Sequence, residues 1–246
     1  MRNLSIIIPA YNEADRLTPT LNDITVYLSL LDSDSEIILV NDGSQDATEQ
    51  VIRKYMNNLD DMLRFKTQII YIPLKQNLGK GAALKRGLTE AQGEYVLYTD
   101  ADNSTSIREL QKLIPFMNNN FDIVIGSRSI AGSNIVQRQN LLRQSMGKIF
   151  NFLVRMFVMK DFIDTQCGFK LFRLAALKKI LPHTKITGFA FDVELLYLAK
   201  KSKFKIIEVP ITWNNHPKSH VHLLSSSLRM LKDLMKIKSL HKKTPV

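Results

Sequence analysis

The feature that most constrains this chain is a recurrence in its first half. Short β-branched apolar runs each end in a polar cluster and are followed by a stretch with helical spacing. Leu4 to Ile8 is one such run, closed by Pro9, which has no N–H for a ladder. Glu36 to Val40, Gln68 to Ile72, Tyr95 to Thr99 and Asp122 to Ile125 repeat it. Helices are expected over about Glu13 to Leu31, Ala47 to Met56 and Ala82 to Ala91, and Ser106 with Glu109 reads as a capping box before Leu110. This alternation predicts an α/β domain with a mostly parallel, Rossmann-like sheet and helices on both faces.

The second half reads differently. Residues 129–140 look like a loop, and Leu141 to Met159 like a helix rich in Phe and Met. A short strand is expected over Gly168 to Phe172, a helix over Ala190 to Lys201 and a last strand over Lys205 to Val209. From His222 to Leu240, Leu223, Leu224, Leu228, Leu231, Leu234, Met235 and Ile237 keep helical spacing, with Arg229, Lys232, Lys236 and Lys238 on the other face. The simplest division is a domain over residues 1–214 and a basic amphipathic helical extension over residues 215–246. That helix has two readings: a core element with a solvated basic face, or an interfacial helix meeting anionic lipid.

Charge follows the same division. Residues 1–125 carry 12 Lys and Arg against 17 Asp and Glu, whereas residues 126–246 carry 22 against 6. A net charge of +11 sorted in this way points to a second half that meets nucleic acid, acidic phospholipid or a phosphorylated substrate. Nucleic acid is disfavoured, because Phe150, Phe152, Phe157 and Phe162 follow an apolar helix rather than interleaving with bases on a platform. The single cysteine, Cys167, excludes an intrachain disulfide, and its turn reads as packing rather than a reactive thiol. No apolar run reaches the ~20 residues of a membrane span, and Ser5 to Pro9 reads as a strand rather than a secretory segment, so a cytoplasmic protein is expected.

Chemistry gathers at the strand ends, which in an open parallel sheet line the ligand crevice. Asp100-Ala101-Asp102 follows an apolar strand directly, and two carboxylates at that spacing can share one hard divalent cation, Mg²⁺ or Mn²⁺. Alone the pattern is no more than an Asp-rich turn. The other rims carry Pro9-Ala10-Tyr11-Asn12-Glu13, Asn41-Asp42-Gly43-Ser44 and Gly126-Ser127-Arg128. Tyr11 offers a flat face for a base, and Asp42 an acceptor for the imide N–H of uracil. Gln76 to Gly81 opens a helix with a glycine-rich turn and places Lys80 where backbone N–H groups favour phosphate. It has neither P-loop nor dinucleotide-fingerprint spacing. The five histidines lack metal-ligand spacing.

In order along the chain, SIIIPAYNE (Ser5–Glu13), VNDGSQDAT (Val40–Thr48), NLGKGAALKRG (Asn77–Gly87), YTDADNS (Tyr98–Ser104) and GSR (Gly126–Arg128) resemble glycosyltransferase family 2, which has the GT-A fold. Through DTQCGFKLF (Asp164–Phe172) and FDVELLYLAKK (Phe191–Lys201) the chain looks most like the dolichyl-phosphate β-glucosyltransferases, and more distantly like polyprenyl-phosphate mannosyltransferases.

The resemblance implies that Pro9, Tyr11, Glu13 and Asp42 hold the uracil and ribose, with Lys80 and Ala101 also at the nucleotide-sugar donor. It implies that Asp100 and Asp102 share the metal and diphosphate, and that Arg128 faces the donor phosphates or an acceptor phosphate. Arg138, Arg143 and Lys170 are further candidates for that acceptor phosphate. The eukaryotic glucosyltransferases resemble one another in an N-terminal membrane anchor that this sequence lacks, so dolichyl and bacterial or archaeal polyprenyl phosphates both stay open.

The implied reaction is inverting transfer of a hexose, glucose from UDP-glucose, to a polyprenyl monophosphate by an enzyme peripherally associated with the cytoplasmic face of a membrane. A lipid monophosphate with a second pKa of ~6 is already a nucleophile near neutral pH and needs no base. A saccharide hydroxyl would need one, and Asp192 or Glu194 is the candidate; with a phosphate acceptor the same pair orients sugar hydroxyls. A family 2 enzyme acting on a saccharide hydroxyl, and one using GDP-mannose, remain the alternatives.

Overall fold

The structure, a computed structural model, describes residues 3–31, 34–59, 67–137, 140–215 and 223–244; the side chains of residues 141–143 and 223–228 are not described. A seven-stranded sheet forms the centre, built from β1 (Leu4–Ala10), β2 (Ser35–Asn41), β3 (Thr67–Pro73), β4 (Tyr95–Thr99), β5 (Ile123–Ser127), β7 (Phe169–Arg173) and β8 (Ile206–Pro210). Its order is β3-β2-β1-β4-β7-β5-β8. All pairings are parallel except those of β7, which runs antiparallel to β4 and β5. Periodicity tells which residues face which side, not which way a strand runs, so the reversal of β7 has no signature in the sequence.

Both faces are covered, which is why the strands read as continuous apolar runs. Along β1, Ile7 points to one face and Ile6 and Ile8 to the other, and all three are fully buried. Ile6 and Ile8 pack with α1 (Leu17–Ser29) through Leu17, Leu21 and Ile24, and with α4 (Leu110–Asn118) through Leu110 and Leu113. Ile7 packs with α3 (Lys80–Glu90) and α7 (Phe191–Lys201) through Ala83, Leu84, Leu195 and Leu196. The remaining helices are α2 (Thr48–Asn57), α5 (Leu141–Phe157), α6 (Leu174–Ile180) and α8 (Leu223–Leu240).

Several local expectations are corrected. Residues 11–16 form a loop before α1, with Asn12 at positive φ. Ser106 caps a 3₁₀ turn (Ile107–Glu109) rather than a capping box: its Oγ accepts from Arg108 N–H, while Glu109 Oε2 accepts from Thr212 N–H at 2.9 Å. The stretch 129–140, expected as loop, contains β6 (Asn134–Gln137), paired in parallel with β9 (Thr212–Asn214). Four exposed residues and a three-residue strand give no periodic signal.

The C-terminal helix is docked on the domain. Leu234 and Ile237 join the core beside α7, each worth about 1.5–3 kcal/mol by burial. Just beyond the helix, the buried His241 places Nε2 2.7 Å from Glu194 Oε1 on α7. Glu194 also accepts from the backbone N–H groups of Lys185 and Ile186 at 2.9–3.0 Å. Lys201 Nζ donates to the carbonyls of His241 and Thr244, and Lys185 Nζ to that of Leu240. Glu194, expected near substrate hydroxyls, is therefore a fully buried joint between α7, the 185–186 segment and the C-terminus.

Replacing His241 with Ala leaves one of these buried acceptors short of a donor, and is expected to cost on the order of 2 kcal/mol in urea unfolding. His241→Gln, which keeps an N–H in reach, should recover part of it. An unchanged midpoint for His241→Ala would contradict this role.

Candidate active site

The chain goes out from β1 through β2 to β3, then returns to place β4 on the other side of β1. At such a reversal the flanking loops splay apart and leave a crevice at the carboxyl ends of the strands. Tyr11 to Glu13 follow β1 and Asp100 to Asp102 follow β4, so both clusters line that crevice. Because β7 is antiparallel to β4, with Phe169 opposite Thr99, the segment 164–168 enters the same rim.

Asp100 sits at the convergence. Lys80 Nζ, from the first turn of α3, donates to its Oδ1 at 2.6 Å. On the other side lies Gly168, where an added Cβ would fall 2.0 Å from Asp100 Oδ2, so only glycine admits the carboxylate. Burial alone would lower the pKa of Lys80, but Asp100, Asp192 and Asp102 outweigh it and hold the ammonium above its ordinary range. Asp102 Oδ1 accepts from Ser104 N–H at 2.9 Å, and its Oδ2 lies 3.8 Å from Arg16 Nη1. Both carboxylates are partly exposed. Ala101 between them is buried, and its carbonyl accepts from Thr20 Oγ1 at 2.7 Å, which fixes the turn on α1.

Asp42 is turned inward. Its two oxygens accept from the N–H groups of Leu78 and Gly79 at 2.8 and 2.9 Å, tying the end of β2 to the turn that opens α3. Burial raises its pKa against those two hydrogen bonds. Gly79 has φ of 101°, and a side chain there would strike Thr187 O at 2.6 Å. A cavity of about 360 Å³ opens at the ends of β2 and β3, lined by Asn41, Ser44, Gln45, Pro73 and Asn77. Pro9 and Tyr11 are half-buried at the adjoining rim.

Glu13 forms a two-point ion pair with Arg16, at 2.8 Å to Nε and 2.6 Å to Nη2. Burial, only partly offset by Arg16, lifts its pKa to about 7. Sequence reading missed Arg16, although a Glu and an Arg three residues apart is a recognisable pair.

Arg128 is held by Asp164 through Nε at 2.7 Å and Nη2 at 2.8 Å, and its guanidinium lies 5.6 Å from the Trp213 ring centroid. Burial works against its charge, yet Asp164 raises its pKa; Asp164, buried and paired with Arg128, stays below the usual carboxylate range.

Two expectations change. Lys170 is fully buried, donating to Asp192 Oδ1 and to the Cys167 carbonyl, both at 2.5 Å, so it cannot meet an acceptor phosphate at the surface. Asp192 is its partner and also accepts from the Tyr98 hydroxyl. Burial alone would raise its pKa; Lys170 and Lys80 reverse that and lower it, which makes Asp192 a weak base. Arg138 lies outside the described residues, as does the side chain of Arg143.

Among the described residues, no three His, Cys, Asp or Glu side chains cluster as a metal cage. Two hard, partly exposed carboxylates, Asp100 and Asp102, suit Mg²⁺ or Mn²⁺, which are commonly held by one or two carboxylates with phosphate oxygens and water completing the shell.

Gly168→Ala should push Asp100 off its seat and weaken Mn²⁺ binding by at least about tenfold in electron paramagnetic resonance titrations, given that a misplaced ligand spoils the geometry. Unaltered Mn²⁺ affinity in a folded variant would contradict the clamp. Cys167 is buried, and burial pushes its thiol up to about 12. It should therefore stay unmodified by a thiol reagent near pH 8 until the protein unfolds.

The family model described as glycosyl transferase family 2 matches residues 5–181. A dolichyl-phosphate beta-glucosyltransferase of Dictyostelium discoideum is 37% identical over 245 residues, covering 96% of this chain and 73% of the relative. Those of Saccharomyces cerevisiae and Homo sapiens are 35% and 33% identical, each over 96% of this chain and over 74% and 75% of their own. Glucosyl-3-phosphoglycerate synthase from Mycobacterium tuberculosis, solved in complex with Mn²⁺, UDP and phosphoglyceric acid, superposes with a TM-score of 0.71 at 17% identity, over 96% of this chain and 78% of that one. S. aureus TarS 1–349 in complex with UDP-GlcNAc gives 0.60 at 21% identity, over 89% and 60%. These structures share the GT-A fold. With a family match over most of its length and relatives this similar, the chain belongs to glycosyltransferase family 2.

Proposed function

We propose that the enzyme transfers glucose from UDP-glucose to a polyprenyl monophosphate, dolichyl or undecaprenyl, at the cytoplasmic face of a membrane. The observation that carries this reading is the partly exposed Asp100–Asp102 pair at the β1/β4 reversal, ringed by Lys80, Arg16 and Arg128, in a chain 37% identical to a dolichyl-phosphate beta-glucosyltransferase. In this reading residues 1–214 are the catalytic domain and residues 215–246 an accessory helical segment. No helix among the described residues is long and apolar enough to cross a membrane.

Asp100 and Asp102 would hold Mg²⁺ or Mn²⁺, and that ion supplies charge neutralisation for the departing diphosphate. Pro9 and Tyr11 would border the uracil, with Glu13 at the ribose and Asp42 shaping the 78–80 turn that presents Lys80 to the diphosphate. An oxygen of the acceptor phosphate attacks the anomeric carbon in line, the bond from that carbon to the UDP oxygen breaks, and UDP leaves with both electrons. The acceptor, largely a dianion near neutral pH, needs no base. It needs a cation, and Arg128 offers Nη1, the guanidinium nitrogen outside its two-point pair with Asp164. The depressed pKa of Asp192 supports a phosphate acceptor over a saccharide hydroxyl.

Purified protein with Mg²⁺ or Mn²⁺, UDP-glucose and detergent-dispersed polyprenyl phosphate should yield glucosylated lipid, and Asp102→Asn should lower turnover by about 100-fold or more. Transfer only to saccharide hydroxyls would contradict the acceptor, and transfer only from GDP-mannose the donor.

A further inference from the structure

The catalytic reading leaves one flank of the second half without a task. α5 and α8 pack together, and away from the core they expose Ile149, Phe152, Met156, Phe157 and Met235 beside the cations Lys148, Arg155, Arg229, Lys232, Lys236 and Lys238. Ile149, Phe152 and Met156 follow the i, i+3, i+7 spacing of one face of α5, with Phe152 63% exposed, and Met235 on α8 is 54% exposed. Beside Met156 a notch of about 280 Å³ opens where the ends of α5, α7 and α8 meet. Its polar wall consists of Arg155, Lys160, Lys200 and Lys238, against a single carboxylate, Asp161. Asp161 is paired with Lys200, which leaves the other three cations to set the charge of the notch.

Soluble monomers rarely expose a contiguous apolar patch with no purpose, and an apolar helix face with basic residues beside it suits the boundary between headgroups and acyl chains. The notch adds a concave, net positively charged site of the kind that suits an anionic headgroup. It is separate from the catalytic rim: Lys200 stands eight residues beyond Asp192 on α7, about 12 Å along the helix.

We propose that this flank docks on a bilayer, with Phe152, Met156 and Met235 entering the interface and the notch of Arg155, Lys160 and Lys238 taking the phosphate of an anionic phospholipid headgroup. The inference rests on the lipid-acceptor reading above and gives it a holding site that does not compete with the acceptor for Arg128.

The test is sedimentation of the full chain with vesicles of phosphatidylcholine alone or with about 20 mol% phosphatidylglycerol, near physiological salt. Binding is expected to the anionic vesicles. Arg155→Glu with Lys238→Glu should weaken it by at least about tenfold, whereas Lys178→Glu with Lys179→Glu, the same charge change on α6, should stay within about twofold of the wild type. Phe152→Ser should weaken binding while preserving the thermal midpoint.

Equal losses in the two charge-reversed proteins would mean diffuse attraction by the +11 chain and would overturn the headgroup site. So would competition by millimolar inorganic phosphate that leaves vesicle binding untouched, or a dimer in ultracentrifugation that Phe152→Ser dissolves. Wild-type protein that glucosylates dispersed polyprenyl phosphate but ignores vesicles overturns this inference alone. Vesicle binding without any lipid glucosylation overturns the proposed function alone.

Discussion

The carboxylate of Asp100 is pressed between two segments far from it in sequence, Lys80 at the start of α3 and Gly168 before β7. Much of the fold serves to bring these together. The reversal of the sheet between β1 and β4 opens the crevice, and the antiparallel β7 delivers residue 168 to the same rim. Asp42 holds the 78–79 turn from below, and Thr187 closes over Gly79 from above. A carboxylate at such a point is useful only if it is not free to swing away, and the 2.6 Å hydrogen bond from Lys80 holds it.

Beneath the rim lies a second, buried layer of charge. Lys170 and Asp192 are buried together, with Tyr98 against the same oxygen. Removing one member of such a pair leaves an uncompensated charge in the interior, so the pair acts as one unit. Two residues further along α7, Glu194 gathers two backbone N–H groups and His241. The segment it fixes, 185–186, leads straight to Thr187, whose carbonyl accepts from Ala82 N–H in α3. The C-terminal helix is thus mechanically continuous with the turn that carries Lys80.

Much of this was legible in the sequence. The alternation of β-branched runs with helical spacing located β1, β2, β4 and β5 to within about two residues, because strands buried on both faces leave an unambiguous apolar signature. The polar clusters after them pointed to Asp100, Asp102 and Arg128 as candidates by the general rule for strand ends, and the glycine-rich helix start to Lys80. What stayed hidden depends on contacts between residues far apart in the chain. Lys170 reads as a surface cation until Asp192, 22 residues later, is seen to bury it. Glu194 reads as a helix-face acid until His241 arrives from 47 residues away. Two short strands, β6 and β9, pair only with each other and carry too few apolar residues to announce themselves.

A clamp that fixes one carboxylate, with a second two residues on, has one purpose in this account: to hold a divalent ion against the diphosphate of the donor. Calorimetric titration of UDP into the wild-type protein, with Mg²⁺ or Mn²⁺ and again in excess chelator, addresses that directly. Affinity should rise by at least about tenfold when the ion is present, as expected where the metal supplies part of the phosphate's binding shell. Identical affinities with and without it would contradict the account.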